Sequence, residues 1–226
     1  ENGTKTNIAY SSGQALIDDG EYTITATDAA GNATTTKIIV DRKAPTLTFA
    51  DGTTGTSQIT RDSSSVAWKV ERYESPVAVS YSFSSTDESK APSVSDAPYT
   101  SGSVFTAEGT YDFTASDRAG NVTKATVIID KTPPTLTFST NGIAFEQYTN
   151  TLFTASGGDA LSGIDKIELY ENGKFTQYDF APRGDNGAYL FRVTDRAGNV
   201  TSATATVYKT DTFGNLAAMR DVYKLN

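Results

Sequence analysis

The sequence predicts an all-β protein made of small β-sandwiches in tandem, the first of them partial. Three observations carry that expectation. One phrase occurs three times, as GEYTITATDAAGNATTTKIIVD from Gly20, GTYDFTASDRAGNVTKATVIID from Gly109 and GAYLFRVTDRAGNVTSATATVY from Gly187. Within each copy apolar and Thr residues alternate with a period of two, the pattern of a half-buried strand, and no convincing amphipathic helix precedes the tail. The Asp of the phrase recurs at 28, 117 and 195, spacings of 89 and 78 residues that suit one small sandwich each.

Phrase order sets the boundaries. APTLTFADG from Ala44 and PPTLTFSTNG from Pro133 open units that the repeated phrase closes, so residues 44–131 and 132–210 read as complete modules. Residues 1–43 read as the C-terminal part of a module, because ENGTKTNIAY at Glu1 matches ENGKFTQYDF at Glu171, deep inside the last unit. The chain thus reads as an excerpt from a longer array. Residues 211–226 are a tail or the start of a next segment, in which Leu216–Lys224 suits two helical turns.

Strands are expected in order. Tyr22, Ile24 and Ala26 lead through a turn to Thr36, Ile38 and Val40. In the middle unit Trp68 between Val66 and Val70, then Val77, Val79, Tyr81 and Phe83, precede the hairpin of Tyr111, Phe113 and Ala115 with Thr126 and Ile128. Leu152, Phe153, Ile164, Ile167 and Leu169 precede Tyr189, Phe191 and Val193 in the last.

Charge and composition exclude several functions. The 226 residues hold 19 Lys and Arg against 27 Asp and Glu, and the net charge of −8 opposes binding to nucleic acid or anionic lipid. His and Cys are absent, which removes Ser-His-Asp triads, Cys-His dyads, the usual zinc sites and disulfides, so the chain is not expected to be an enzyme. No apolar run approaches the roughly 20 residues that span a bilayer. An acidic, Thr-rich chain free of Cys fits an exported protein that folds without redox control.

The repeated residues have physical roles. A short reversal needs a positive φ, which Gly31, Gly120 and Gly198 supply, followed by Asn32, Asn121 and Asn199, which tolerate the left-handed region. Asp28, Asp117 and Asp195 are placed to accept hydrogen bonds from the loop amides, with calcium ligation, which hard carboxylate and carbonyl oxygens also suit, as the competing reading. The structural turn also accounts for the Asn-x-Thr sequons at the three Asn. Tyr22, Tyr111 and Tyr189 each stand two residues after Gly and two before Ile24, Phe113 or Phe191, the arrangement of a tyrosine corner in an immunoglobulin-like sandwich. The fold class expected is therefore all-β, as tandem immunoglobulin-like β-sandwiches.

On these motifs, together with Asp159-Ala-Leu-Ser-Gly-Ile164, the chain resembles the bacterial immunoglobulin-like (Big-type) repeats of cell-surface adhesins and S-layer proteins, up to about residue 210. The resemblance implies an extracellular location at the cell surface or wall and a structural or spacer role presenting a binding region. It implies as partners the neighbouring immunoglobulin-like domains of the same chain and a host or cell-wall glycan or protein. It also suggests calcium at domain junctions. The candidate calcium ligands are Asp41 and Asp130, which end last strands just before Pro45 and the Pro133–Pro134 pair, and Asp159 and Asp165, which flank Ser162 in one loop. The ladder of an EF-hand is missing there, and a loop closed by side-chain caps is the competing account.

Other readings stay open. A carbohydrate- or ligand-binding module attached to a secreted enzyme would use exposed aromatics such as Tyr73 with Tyr99 or Tyr170 with Tyr178, and an S-layer lattice would use an apolar patch. The polar insertion Ser84–Pro98 suits a flexible or a recognition segment. An isopeptide bond between Lys69 and Asn121 beside Glu71 is disfavoured, because Lys69 alternates away from the core.

Overall fold

Period-two alternation closes each repeated phrase into an antiparallel hairpin. The computed structural model describes residues 7–68, 77–85 and 93–209. In it β1 (Gly20–Thr27) pairs with β2 (Ala33–Val40). The six residues 41–46 hold no strand before β3 (Leu47–Phe49), and β3 and the next elements build a core of their own: β4 (Ser57–Thr60), β5 (Ser64–Trp68), β6 (Ala78–Ser84), β7 (Val94–Pro98), β8 (Val104–Phe105), β9 (Gly109–Ser116) and β10 (Val122–Ile129). The last set is β11 (Thr135–Thr140), β12 (Ile143–Phe145), β13 (Tyr148–Thr149), β14 (Thr154–Gly158), β15 (Ile164–Glu171), β16 (Lys174–Gln177), β17 (Gly187–Asp195) and β18 (Val200–Val207).

Two immunoglobulin-like β-sandwiches result. In the middle module a five-stranded sheet, β4-β10-β9-β6-β7, faces the three-stranded β3-β5-β8, and in the last module β13-β18-β17-β15-β16 faces β12-β11-β14. Each encloses its own core. Leu47, Phe49 and Val66 of one layer pack with Val79, Phe83, Phe113, Val127 and Ile129 of the other. Phe138, Phe153 and Ala155 pack likewise with Ile167, Leu169, Phe191, Val193 and Val207. Burying an aromatic or aliphatic side chain of this size contributes about 1.5–3 kcal/mol, which is how a chain without disulfides holds two separate cores.

The first hairpin has the same pattern without the cover. Register equates Ile38 with Val127 through their partners Tyr22 and Tyr111, yet Ile38 is 38% exposed and Val127 fully buried. Ile8, which the repeat equates with the buried Tyr178, is 70% exposed.

Some expectations shift by one residue. The buried face of β10 is Ala125, Val127 and Ile129, so Thr126 and Ile128 lie on the outer face, where the Thr126 hydroxyl donates to Asp112 Oδ1 at 2.6 Å. Phe153 is buried outside any strand, in an isolated bridge to Arg183, while Leu152 is exposed. The end of the Ser84–Pro98 insertion forms β7, an edge strand on β6. Lys69, Val70, Glu71, Tyr73 and the Leu216–Lys224 segment lie outside the described residues.

Two tests follow from this packing. Amides of β1 and β2 should exchange with deuterium faster than those of β9 and β10 by about two orders of magnitude or more, since a hairpin without a core opens at little cost. Gly109 has φ +149°, and a Cβ there would meet the Ser84 carbonyl oxygen at 2.3 Å, whereas one at Gly187, φ +153°, meets nothing within 4 Å. Gly109→Ala should therefore lower stability in denaturant by about 1–3 kcal/mol more than Gly187→Ala, the overpacking cost being absent from the latter.

Candidate functional site

The repeated loop is built the same way three times. Gly31, Gly120 and Gly198 take φ near +90° (89°, 92° and 91°), which a residue with a Cβ rarely adopts. The Asp amide donates to the Asn carbonyl and the Gly amide to the Asp carbonyl, closing the reversal. The carboxylate does the rest. Oδ1 of Asp28, Asp117 and Asp195 accepts the backbone N–H of Asn32, Asn121 and Asn199 at 2.8–2.9 Å, and Oδ2 accepts the Asn side-chain amide at 2.8–2.9 Å. The Asn residues, which tolerate the left-handed region, do not adopt it here. Their part is to donate from Nδ2, a role that a reading based on backbone tolerance misses.

Tyr22, Tyr111 and Tyr189 each donate a hydroxyl hydrogen bond to the carbonyl four residues earlier, at Asp18, Ala107 and Asp185, at 2.8–3.0 Å. Burial pushes the Tyr111 phenol up to about 12, against the opposing bond to Ala107.

Next to these loops lie the strand ends that link modules. Each is tied from behind by the residue before the Gly of Gly-x-Tyr. Arg42 Nε donates to Asp19 Oδ1 at 2.8 Å, the Lys131 amide and the Thr132 hydroxyl to Glu108 Oε1 at 2.8 and 2.7 Å, and the Lys209 amide to Asn186 Oδ1 at 2.6 Å. Burial raises the Glu108 pKa, but the bonds from Thr132 and Lys131 outweigh it and hold the carboxyl below its ordinary value.

Contacts from ahead cross the module boundary. Asn121 Nδ2 donates to the Asp41 carbonyl at 3.0 Å; beside it, within the middle module, the Thr123 hydroxyl donates to the Pro45 carbonyl at 2.5 Å. Asn199 Nδ2 donates to the Asp130 carbonyl at 2.9 Å, the Ser162 amide to Asp130 Oδ2 at 3.0 Å, and Arg61 Nη1 reaches the Gly198 carbonyl at 3.3 Å.

The second junction gathers acids. Carboxylate oxygens of Asp130, Asp159 and Asp195 lie within 4.8 Å of one another, with Asp130 fully buried and Asp195 only 1% exposed. Desolvation raises the Asp130 pKa; hydrogen bonds from Ser162 and Thr132 oppose it and the Asp159 charge adds to it. Asp159 Oδ1 caps its own loop, accepting the amides of Leu161 and Gly163 at 3.1 and 2.7 Å. Of the four candidate ligands, Asp130 and Asp159 come together here. Asp165 instead points to solvent from β15, and Asp195, read from sequence first as a turn residue with calcium ligation as the alternative, joins the group. Asp41 occupies the equivalent strand end at the first junction, with Oδ1 accepting the Lys43 amide at 3.1 Å and Oδ2 buried without a hydrogen-bond partner among the described residues.

No protein-family model matches this chain, and no curated protein does. Among solved structures the chain is similar to the fibronectin(III)-like modules of Clostridium thermocellum CbhA, at 15% identity and a TM-score of 0.29, over 73% of this chain and 94% of that one. It is also similar to the protocadherin GammaB4 extracellular domain, at 11% identity and a TM-score of 0.22, over 87% of this chain and 43% of that one. The immunoglobulin-like sandwich itself rests on the strand pairing and the two cores described above.

The turn carboxylates give a pH dependence of known sign. Burial raises the Asp117 pKa, but the Asn121 side chain and amide, with the amides of Gly120 and Ala119, hold it below 3.8 overall. A carboxyl depressed by folding contributes stability above its unfolded pKa and loses it as pH falls through the folded one. Asp117→Asn should therefore cost about 1–3 kcal/mol at pH 7 and flatten the acid side of the stability curve below pH about 4, measured by urea unfolding across pH.

Proposed function

We propose that the chain is a structural spacer segment of a bacterial cell-surface protein of the adhesin or S-layer type, its Big-type immunoglobulin-like modules standing in series to present a binding region away from the envelope. The reading is extracellular and non-enzymatic; the absence of His and Cys supports the second part. Its partners are the neighbouring modules and a host or cell-wall glycan or protein met by the presented region. One observation carries it: each strand end leading into the next module is held from both sides, by Asp19 or Glu108 behind and by Asn121 or Asn199 ahead. A string that only needed to be covalently joined would not need such contacts, because relative motion is the default between small domains.

A divalent cation completes this reading. Two like charges within 4.8 Å repel by about 3 kcal/mol or more at an effective dielectric of about 20, more than a typical hydrogen bond returns. Among the described residues none of Asp130, Asp159 and Asp195 is ion-paired. Carboxylates of this kind are hard oxygen donors suited to calcium, and these three would hold it; the buried Asp41 Oδ2 is a donor of the same type at the first junction.

The alternative, a carbohydrate- or ligand-binding module attached to a secreted enzyme, is favoured by one pair, Tyr148 and Tyr208, 57% and 37% exposed with rings 6.0 Å apart and 26° from parallel. The pairs nominated from sequence serve less well: Tyr178 is 1% exposed inside the core while Tyr170 packs on Phe175, and Tyr99 packs on Phe113 of the middle core, with Tyr73 outside the described residues. Specific hits for the chain on a glycan array, lost in Tyr148→Ala, would replace the spacer reading.

Thermal unfolding in calcium and in chelator tests the metal. A ligand bound only to the native state at a hundred times its Kd adds about 2.7 kcal/mol. Calcium should raise the Tm of the parent and leave that of Asp159→Asn nearly unmoved; coincident parent curves at millimolar calcium would remove the cation from the proposal.

A further inference from the structure

The Asp-x-Ala-Gly-Asn loop makes more hydrogen bonds than a chain reversal requires. At Asn32 the turn is closed with Nδ2 given to Asp28 alone among the described residues. In the two loops that face a preceding module the same group reaches further, to one more carbonyl at Asn121 and, at Asn199, to the Asp130 carbonyl at 2.9 Å with the Thr132 carbonyl behind it at 3.5 Å. Asn121 Nδ2 reaches the Asp41 carbonyl and Asn199 Nδ2 the Asp130 carbonyl, and both acceptors belong to the first residue after the last strand of the module before.

We propose that Asn121 and Asn199 are latches: positioning residues that fasten each module to the strand end of its predecessor and fix the angle between the two. The chemistry requires Asn. A carboxamide nitrogen has two hydrogens; Asp195 Oδ2 takes one at 2.9 Å and orients the group, which leaves the other for the Asp130 carbonyl across the boundary. An Asp of the same shape has no hydrogen to give and would set its charge against a carboxylate and a carbonyl. Asn199 is also buried, so its bond is shielded from competing water. Supporting contacts keep the latch aligned: Ser162 holds the Asp130 carboxylate and Arg61 the Gly198 carbonyl across the second junction, while Thr123 ties the linker residue Pro45 to its own module beside the first. Pro45, Pro133 and Pro134 narrow the backbone freedom of the linkers, so few bonds are needed to select one geometry.

This inference rests on the reading of the chain as modules in series, and its test separates the two. Nitroxide labels at Lys124→Cys and Lys174→Cys, exposed positions on the middle and last modules of a chain without cysteine, report the intermodule distance by double electron–electron resonance in chelator. Asn199→Ala should turn a narrow distance distribution into a broad one, with the open population raised about fivefold by loss of one hydrogen bond. Asn32→Ala, which removes the same side chain from the same turn, should leave that distribution unchanged. Urea unfolding shows whether the last module survives the substitution. Should it not, Asn121→Ala with labels at Lys37→Cys and Lys124→Cys asks the same question of the first junction. A distribution in the folded Asn variant superimposable on the parent overturns the latch while leaving the serial reading intact. A parent whose labels lie as close as modules folded back on each other would remove the serial reading instead.

Discussion

A buried carboxylate facing a carboxamide, Asp195 against Asn199, is the contact on which the last module and its junction both depend. Burying a carboxylate is costly unless its lone pairs are taken up. Asp195 meets that condition with two bonds from one residue, and so the loop backbone is closed, both carboxylate oxygens accept a hydrogen bond and the Asn amide is aimed outward by a single pair. Asp117 and Asn121 repeat the solution in the middle module, and Asp28 and Asn32 repeat it in the open.

Packing supplies what disulfides do in other small sandwiches. The middle core sets Phe83 and Phe105 tilted against Tyr111 at 4.4 and 4.3 Å, and the last core sets Phe138, Phe153, Tyr178 and Phe191 edge to face or tilted at 5.1–6.0 Å. The separations in the last core fall in the preferred range for aromatic pairs, about 4.5–7 Å, and those in the middle core lie at its lower edge. Among the described residues the first hairpin shares the corner bond of Tyr22 and the turn of Asp28 and packs against no such core.

Much of the fold is legible because the sequence contains its own controls. Three copies of one phrase fix the hairpins, the reversal at Gly31, Gly120 and Gly198, and the tyrosine hydrogen bonds. Registers are harder to read. Ala125, Val127 and Ile129 go inward while Thr126 and Ile128 lie outside, because both faces of β10 carry β-branched residues and the alternation alone does not choose between them. The site is harder still. Asp130, Asp159 and Asp195 come from a strand end of one module and two loops of the next, so no local spacing relates them, and Asp165 is nearer to Asp159 in sequence but is turned out by the strand it occupies. One signal was available: Asn follows Gly in all three copies although the turn needs only the Gly, which points to a task for the side chain.

The strand pairing also dictates how tension would travel through such a chain. In the middle module β10, the strand that leaves it, runs parallel to β4 near the point where the chain enters, with Thr126–Ile129 beside Ser57–Thr60, and in the last module β18 and β13 repeat the arrangement. Pulling the two ends of a module apart slides these neighbours past one another, so their bonds must yield together. An antiparallel terminal hairpin pulled at its open end would unzip one bond at a time.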